Sequence, residues 1–548
     1  MIKALDRRAP RFAFARHLPP ARIATRMLRR MQRRLGLIGV RGQLEAKLHA
    51  PGALPAPVFE PRTIGVTRDK TGWSFAFLGE THCFGSTIDW QPSGCGQLWR
   101  MNLHYFEYLE TLPFSDGLGA IEQWIDAYPP NRAGAFYDGW NPYALSLRVV
   151  CWLQWLAQHD GVLQTSVIRD RIGGSLAQQL DWLAHFLETD LGGNHLIKNI
   201  KALLWGAACF EGNAARAWHK VGAALLRNEL PRQIMPDGYH YERTPAYHNQ
   251  VTADLIECRH VAPGLIDDAL IGRMVNTALV TTHPDGNPAQ FGDTGLTMAY
   301  PAGVLAEVIG CRSNEPRSAI LPEAGIAALH CSPFTTQAKF GVLGARTLPA
   351  HAHGDIGSFE LSVHGRRCIV DQGVYEYMGG DRRDASRRAD MHNLLAPAES
   401  DLADFFGEFR CGWWPTPHIN EAGIAGDVLQ LDVSHDGFAH AYDGAIVRRV
   451  LRADQAALAI EDSLERLPAG GDWASRLLIH PDWRVRVTEF GALLDCEESE
   501  VRLETAAGLA LEDAVWWPDM GVELPTTRIV LSLPAGESTL AFRLVAGK

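Results

Sequence analysis

The spacing of hydrophobic residues divides the chain into a helical part followed by a β part. Between about residues 97 and 330, apolar residues recur every three or four positions, which predicts amphipathic helices. After about residue 335 the period changes to two, which is typical of short antiparallel strands. Two helical segments are especially regular, one with Leu145, Val149, Trp152 and Leu156 on one face, the other with Leu196, Ile200, Leu203, Leu204 and Ala207.

These patterns predict a helical domain over residues 97–334 and an antiparallel β domain over residues 335–548. Many helices of similar length without a fixed-period repeat indicate stacked helical hairpins, an α/α toroid or a solenoid. The evenly spaced strands indicate a large antiparallel sheet or sandwich. Residues 49–96 are rich in proline and then extended, so we interpret them as a connector with short strands. We expect any active site to lie in the cleft between the two domains.

Residues 1–48 form a strongly basic arm. They contain thirteen Lys or Arg residues and two Asp or Glu residues, a local net charge of +11 in a chain whose total is −11. Residues 20–38 read as an amphipathic helix with Ile23, Met27, Met31, Leu35 and Ile38 on its apolar face. One interpretation is an arm packed on the first domain with solvated arginines. The other is peripheral contact with an anionic membrane surface or a glycan.

Composition removes several classes of protein. No apolar run is long enough to span a membrane, and no secretory signal is recognisable in the basic arm. The ten cysteines include no CxxC pair, which argues against a zinc ribbon or a disulfide framework. Outside its arm the chain is acidic, so a nucleic-acid partner is not expected. We also find no GxSxG, HExxH, P-loop or dinucleotide-binding motif, although a pair of glycosidase carboxylates remains an alternative.

The stretch over residues 351–371 offers candidate metal ligands at the edge of a predicted sheet. His353 and Asp371, with His392 further on, could hold a divalent metal such as zinc and leave a fourth position open. If Gly365 and Arg366 form a two-residue hairpin loop, however, His353 and Asp371 stand roughly 23 Å apart along the strands. They can meet only if residues 353–357 curl back. The alternative is that each histidine is a hydrogen-bonded structural residue.

Three further groups of residues are candidates for substrate chemistry. Asn194 and His195 precede a predicted helix, where they could meet a carboxylate or where Asn194 could simply be the N-cap. Residues 237–248 are rich in tyrosine and histidine, either as a packing loop or as a site that uses a phenol. The arginines of residues 382–388 suit a polyanion or form a solvated loop: Arg382, Arg383, Arg387 and Arg388.

Taken in order, these motifs resemble the heparinase II/III-like family of polysaccharide lyases. The resemblance runs from about residue 98 to the end of the chain. It is carried by LWRMNLHYFEYL (98–109), WNPYALSLRVVCWL (140–153), GNHLIKNIKALL (193–204), DGYHYERTPAYH (237–248), HPDGNPAQFGD (283–293), HAHGDIGSFELSVHGRRCIVDQGVYEY (351–377) and MHN (391–393). It implies an N-terminal α/α toroid, an incomplete helical barrel, followed by a C-terminal antiparallel β-sandwich. It also implies cleavage of uronate-containing glycans by β-elimination.

The resemblance also implies roles for individual residues. Asn194 or His195 would contact the uronate carboxylate, with His195 favoured and Asn194 in support. Tyr247 would be the base, the acid or both, and His351 would be its partner across the cleft. A structural metal would be held by the set seen in some members, which here is His353, Asp371 and His392. Substrate contacts are expected from Tyr241, which competes with Tyr247, and from Arg243, His248 and Arg387.

Three functions follow from this sequence. The first is a lyase that acts on an acidic bacterial glycan, such as an exopolysaccharide or capsule, and needs no organic cofactor. The second is a non-catalytic glycan-binding or assembly component of a surface-polysaccharide system, held at the membrane by its basic helix. The third is a hydrolase on the same fold. The family implies the periplasm or cell envelope, whereas the sequence without a recognisable signal implies a cytoplasmic or membrane-peripheral protein.

Overall fold

The computed structural model describes residues 10–34, 45–62, 64–130, 132, 134–163, 167–398, 400–466, 468, 470–534 and 536–547. Its α-helices, in chain order, are α1 (Pro10–His17), α2 (Pro20–Arg34), α3 (Gln97–Tyr105), α4 (Phe114–Ala127), α5 (Pro142–Gln158), α6 (Val167–His185), α7 (Gly193–Cys209), α8 (Asn213–Gln233), α9 (Pro245–Val261), α10 (Asp268–Val280), α11 (Ala302–Val308) and α12 (Asp381–Arg387). Among the described residues, no helix is long and apolar enough to span a membrane.

The strands form antiparallel sheets, and most of them follow the last long helix. Strands β1 to β5 are Lys47–Leu48, Gly65–Arg68, Trp73–Phe77, Glu80–Phe84 and Phe210–Glu211. Strands β6 to β13 are Ala319–Leu321, Ile326–Cys331, Phe334–Lys339, Phe359–Val363, Arg366–Ile369, Leu395–Pro397, Phe405–Phe406 and Arg410–Cys411. Strands β14 to β24 are His418–Ala425, Val428–His435, Val447–Ala453, Ala457–Leu464, Trp473–Leu478, Arg484–Thr488, Gly491–Cys496, Ser499–Thr505, Gly508–Trp516, Leu524–Ser532 and Thr539–Ala546.

The chain folds into two compact units. One contains residues 19–232 and 253–271, and we call it the helical unit. The other contains the described residues of 10–18, 233–252 and 272–547, and we call it the sheet unit. The order of helices first and antiparallel sheets second agrees with the predicted architecture. The predicted domain bounds stay a prediction.

The helical unit is built from amphipathic helices whose apolar faces are buried. The two most regular predicted helices are confirmed as α5 and α7, whose leucine, isoleucine and tryptophan positions are buried. The segment predicted as a connector is also packed here, because its three-stranded sheet buries Trp73, Phe75 and Phe77. Phe75 and Phe77 lie 5.1 and 5.2 Å from the rings of Tyr108 and Trp99, respectively. This segment is therefore part of a core rather than a free linker.

The basic helix α2 packs on the helical unit through its arginines. The packing interpretation expected these arginines to be solvated instead. The arginines of α2 face the protein: Arg26 pairs with Asp190 at 3.4 Å, and Arg29 donates to the carbonyl of Leu187 at 3.1 Å. Met27 and Met31, predicted to pack inward, are 67% and 52% exposed instead. Partly buried acceptors on Leu187, Asp190 and Leu191 hold the arginine face more strongly than thioether contacts would. Leu35 and Ile38, from the same predicted face, lie outside the described residues.

The sheet unit encloses one large apolar core between three antiparallel sheets. They have five strands (β10-β9-β8-β7-β6), four strands (β11-β18-β23-β22) and eight strands (β14-β15-β16-β17-β24-β21-β20-β19). Side chains from all three meet in the core, for example Phe359, Leu477 and Leu431. Sheets that face each other across a shared core form a sandwich.

The hairpin of β9 and β10 does not have the predicted Gly365-Arg366 loop. Arg366 pairs with Val363, so the two-residue loop is His364-Gly365, with φ values of 50° and 83°. Positive φ at both positions is the requirement of a type I′ turn. A β-bulge between Arg367 and Ile369 then shifts the register further, so the Gly365-Arg366 loop and the straight-strand register that follows from it are wrong.

Buried Asn393 joins three backbone segments of the sheet unit. Its Nδ2 donates to the carbonyls of Phe359 and Val370 at 2.8 and 2.9 Å. Its Oδ1 accepts from the backbone N–H of Leu478 at 2.8 Å. One amide side chain therefore satisfies three backbone groups that have no water to replace them.

We predict that Asn393→Ala destabilises the sheet unit by about 3 kcal/mol, because three buried backbone groups lose their partner. Thermal and urea unfolding of the full chain would measure this loss. The control is Asn420→Ala, which removes an exposed amide that bonds Asp432. Equal stability of both variants would contradict the bridging role of Asn393.

Candidate functional site

The sheet unit brings Tyr247 and His351 into direct contact. Tyr247 lies in the first turn of α9, and its ring stacks on the imidazole of His351 with a centroid distance of 3.7 Å and an angle of 20°. The Tyr247 hydroxyl is 2.8 Å from the hydroxyl of Tyr377, and either oxygen can be the donor. The predicted partner of Tyr247 thus meets it through the ring face, while the phenol oxygen meets a second phenol.

Both ring nitrogens of His351 face carboxylates. Nδ1 is 2.9 Å from Oδ2 of Asp293, and Nε2 is 3.3 Å from Oε2 of Glu242. The backbone N–H of Asp293 also donates to the carbonyl of His351 at 3.1 Å. These contacts fix the plane of the imidazole, and the Tyr247 ring lies against that plane.

Gly292 permits the close approach between these two segments. Its φ is 60°, and a Cβ atom there would lie 2.6 Å from the carbonyl oxygen of His351 and 2.5 Å from Cγ2 of Thr244. A side chain at this position would push the loop of Asp293 away from His351. The glycine is therefore required by the site geometry.

Asp293 is a fully buried carboxylate surrounded by nitrogen atoms. Besides His351, it contacts Nε2 of His353 at 2.8 Å and the guanidinium of Arg383 at 2.5 and 3.0 Å. Burial by itself raises the pKa of Asp293. The charge of Arg383 and the hydrogen bonds from both histidines outweigh burial, so this pKa lies well below its usual range. Asp293 is therefore ionised.

The three predicted metal ligands also come together in the sheet unit. One ligand atom from each of His353, Asp371 and His392 lies within 4.8 Å of the others, and all three residues are buried. The curl that this requires occurs over residues 353–357: Gly354 N–H donates to the carbonyl of Arg387, and Gly357 has a φ of 90°. The shifted hairpin register and this curl remove the separation expected from straight strands.

The chemistry of this cluster fits a divalent metal. Nδ1 of His353 and Nε2 of His392 are buried, and neither has a hydrogen-bond partner among the described residues. Burial lowers the pKa of His353 to about 4, against the opposing effect of Asp293, so this histidine is neutral, as a ligand must be. Burial also disfavours charge on His392, but Asp371 at 2.9 Å outweighs it and raises the pKa of His392.

Asn194 and His195 lie in the helical unit, at the start of α7. The N-cap of α7 is Gly192, with a φ of 71° and no side-chain cap, so the alternative of Asn194 as N-cap is wrong. The Asn194 side chain is buried. His195 is 34% exposed at its side chain and is oriented by Glu188, whose Oε1 is 3.1 Å from Nδ1. Of the two, His195 is the more accessible to a substrate.

The other predicted substrate contacts are divided between partly exposed and buried positions. Tyr241 is partly exposed, and its carbonyl accepts from Arg243, whose Nε bonds the carbonyl of Glu323 at 3.1 Å. His248 is fully buried. Its Nδ1 accepts from the N–H of His240 and its Nε2 is 2.8 Å from the carbonyl of Met274. Both its nitrogens are occupied, which favours a structural histidine, and substrate contact by His248 stays an untested prediction.

The arginines of residues 382–388 are neither a solvated loop nor a row of free cations. Arg383 is fully buried on Asp293. Arg387 is 3% exposed and bonds Asp384 and the carbonyl of Glu408, so substrate contact by Arg387 is not available in this conformation. Arg382 pairs with Glu523, and Arg388 pairs with Asp390.

Three residues of the site were not among the predicted site residues: Glu242, Asp293 and Tyr377. A fourth, Arg383, was considered only as one of four arginines that suit a polyanion. Glu242, Asp293 and Tyr377 lie inside or at the end of the quoted motifs, and Arg383 lies in the arginine run. Charged residues whose partners come from distant segments carry no local pattern that would single them out. Their occurrence inside the motifs was the one available signal.

Comparison with known proteins gives consistent results. The family model described as Heparinase II/III N-terminus matches residues 121–293, and that described as Heparinase II/III-like, C-terminal matches residues 314–544. The heparin-sulfate lyase of Bacteroides thetaiotaomicron is 29% identical over 388 residues, which cover 59% of this chain and 55% of that protein. The heparin-sulfate lyase of Pedobacter heparinus is 25% identical over 254 residues, covering 40% and 38%. The chain thus spans about half of these relatives or less.

The fold is matched over a greater length. The crystal structure of heparinase III superimposes with a TM-score of 0.67 at 17% identity, covering 84% of this chain and 79% of that one. This match confirms the predicted fold class, a helical toroid followed by an antiparallel β-sandwich. Together with the two family models, it shows that the chain belongs to the heparinase II/III family.

Proposed function

We propose that this protein is a polysaccharide lyase that cleaves a uronate-containing acidic glycan by β-elimination. The observation that carries the proposal is the stack of Tyr247 on His351, with the two phenol oxygens of Tyr247 and Tyr377 in contact. Membership of the heparinase II/III family and likeness to two heparin-sulfate lyases support it.

The reaction needs a base for the C5 proton and an acid for the departing glycosidic oxygen. Tyr247 is proposed for both roles. A phenol has a pKa of about 10 in water, so its anion needs stabilisation near neutral pH. The Tyr377 hydroxyl can donate a hydrogen bond to that anion, and the imidazole of His351 stacks on the Tyr247 ring. Contact of Asn194 or His195 with the uronate carboxylate, which would stabilise the enolate-like state, stays a prediction.

We predict that Tyr247→Phe lowers kcat at least about 100-fold, because the variant keeps the ring but loses the group that exchanges the proton. Activity would be followed by ultraviolet absorbance of the new carbon–carbon double bond, on heparan sulfate, chondroitin, hyaluronan and alginate. Glycan binding should survive the change.

The matched control is Tyr442→Phe, which removes a hydroxyl from a ring that packs on Trp473 in the sheet unit. It should keep normal activity. An unsaturated product at wild-type rate from Tyr247→Phe would refute its role as base and acid. A saturated product that has gained one water would instead indicate a hydrolase.

We further propose that His353, Asp371 and His392 hold one structural divalent metal, for which zinc is the best candidate. Two imidazoles and a carboxylate are common zinc ligands, and the two unpartnered nitrogens support this assignment. The ion would fix the residues at this edge of the sheet. No step of the elimination requires it.

We predict that the purified protein holds close to one zinc ion per chain and that His392→Ala weakens zinc binding tenfold or more, because one of three protein ligands is lost. Metal analysis after dialysis and competition with a chelator would measure both quantities. His418→Ala, at an exposed histidine, is the control. Equal zinc content in His392→Ala and wild type would exclude this ligand set.

A second candidate function is a glycan-binding or assembly component held at a membrane surface. The exposed stripe of α2 favours it: Met27, Leu28 and Met31 are 67%, 50% and 52% exposed on a helix with six arginines and no acidic residue. An apolar stripe bordered by positive charge suits an anionic bilayer.

We predict that the triple variant Met27→Gln, Leu28→Gln, Met31→Gln binds vesicles of phosphatidylserine and phosphatidylcholine at least about tenfold more weakly than wild type, since three side chains no longer enter the lipid. Co-sedimentation would measure binding. The control is the pair Val487→Gln and Phe490→Gln, which removes exposed apolar side chains from the sheet unit. If wild type itself fails to sediment with the vesicles, membrane contact is refuted.

A further inference from the structure

The Asp293 carboxylate connects the two histidines of the His351-x-His353 pair. Oδ2 is 2.9 Å from Nδ1 of His351, and Oδ1 is 2.8 Å from Nε2 of His353. Each oxygen therefore contacts a different histidine, one stacked on Tyr247 and one in the proposed metal cluster. Arg383 contacts both oxygens from a third direction.

A carboxylate whose two oxygens both pair with a guanidinium, as those of Asp293 do with Arg383, accepts hydrogen bonds and donates none. Both histidines must therefore present an N–H to Asp293: His351 carries a proton on Nδ1, and His353 carries one on Nε2. Because Nε2 of His353 is the nitrogen in contact with Asp293, Nδ1 is not engaged by that carboxylate. This is the buried nitrogen without a partner among the described residues, and it is the atom free to bind a metal.

The same logic orients His351. With its Nδ1–H on Asp293, its ring plane is fixed and its Nε2 is directed at Glu242. With both ring nitrogens directed at carboxylates, the face of the His351 imidazole contacts the ring of Tyr247. A rotation of the imidazole that broke the Asp293 contact would also break the stack, because both depend on one plane.

We propose that Asp293 is a positioning residue that serves both histidines at once. It selects the tautomer in which His353 can bind a metal, and it holds His351 against Tyr247. A carboxylate behind a ligating histidine is a known means of fixing tautomer and orientation. In this protein, one carboxylate would orient two histidines. One is His353, a proposed metal ligand, and the other is His351, which stacks on the ring of Tyr247. The part that concerns His351 rests on the proposed lyase function, whereas the part that concerns His353 does not.

The simpler alternative is that Asp293 only neutralises buried Arg383. Two substitutions separate the alternatives. Asp293→Asn keeps the shape but places an N–H₂ group opposite one of the two histidines. Asp293→Glu keeps the charge for Arg383 but moves the carboxylate by one methylene, so it cannot reach both histidines in their present positions.

For both variants we expect kcat to fall at least about 100-fold with KM within about threefold of wild type, because the reacting phenol loses its support while the glycan contacts remain. Zinc affinity should fall about 10- to 100-fold. Selective ¹⁵N labelling of histidine should show altered tautomer signals for two histidines. The control is Asp285→Asn, which removes a carboxylate from Arg367 and should leave all three readouts unchanged.

Wild-type kcat, KM and zinc affinity in Asp293→Glu would overturn the proposal, because charge balance would then be sufficient. If Asp293→Asn fails to fold by circular dichroism, the Glu variant decides. If wild type cleaves no uronate glycan, the lyase proposal fails by itself. Zinc affinity and the ¹⁵N tautomer signals then still decide the role of Asp293 at His353.

Discussion

The arrangement of the site depends on one buried ion pair, between Asp293 and Arg383. Both side chains are fully buried, and a charge in that environment must be paired and hydrogen-bonded to be tolerated. The pair therefore fixes the loop of Asp293, the loop of His351 and His353, and the helix that carries Arg383. Once these segments are held, the stack of Tyr247 on His351 and the cluster around His353 follow from the same contacts.

Satisfaction of buried polar groups is the wider constraint in the sheet unit. Asn393 does for three backbone segments what Asp293 does for two histidines, since each supplies hydrogen bonds where no water can. Nδ1 of His353 and Nε2 of His392 are among the buried polar atoms that have no hydrogen-bond partner in the described part of the chain. Leaving them without a partner costs free energy, and a metal would recover that cost. Their neighbouring Asp371 supplies the negative charge that such an ion needs.

Family membership and activity rest on different observations. The two family models and the match to heparinase III establish the family and the fold. The proposed elimination rests on the Tyr247 constellation, which lies wholly within the sheet unit. The outward-facing apolar stripe of α2 is independent of both. It results from acceptors on the helical unit that attract arginines, and it gives the protein a surface that a catalytic site alone does not require.

The sequence by itself determined the order of helices and strands, because hydrophobic periodicity reports which face of each element is buried. It also offered His353, Asp371 and His392 as candidate ligands, since they are residue types that bind divalent metals. Only the tertiary structure decided how these residues meet. A turn one residue earlier than expected, a bulge and a curl over residues 353–357 placed them together. Asp293, Glu242 and Tyr377 acquired their importance from partners far away in the chain, and contact between distant segments leaves no periodic trace in a single sequence.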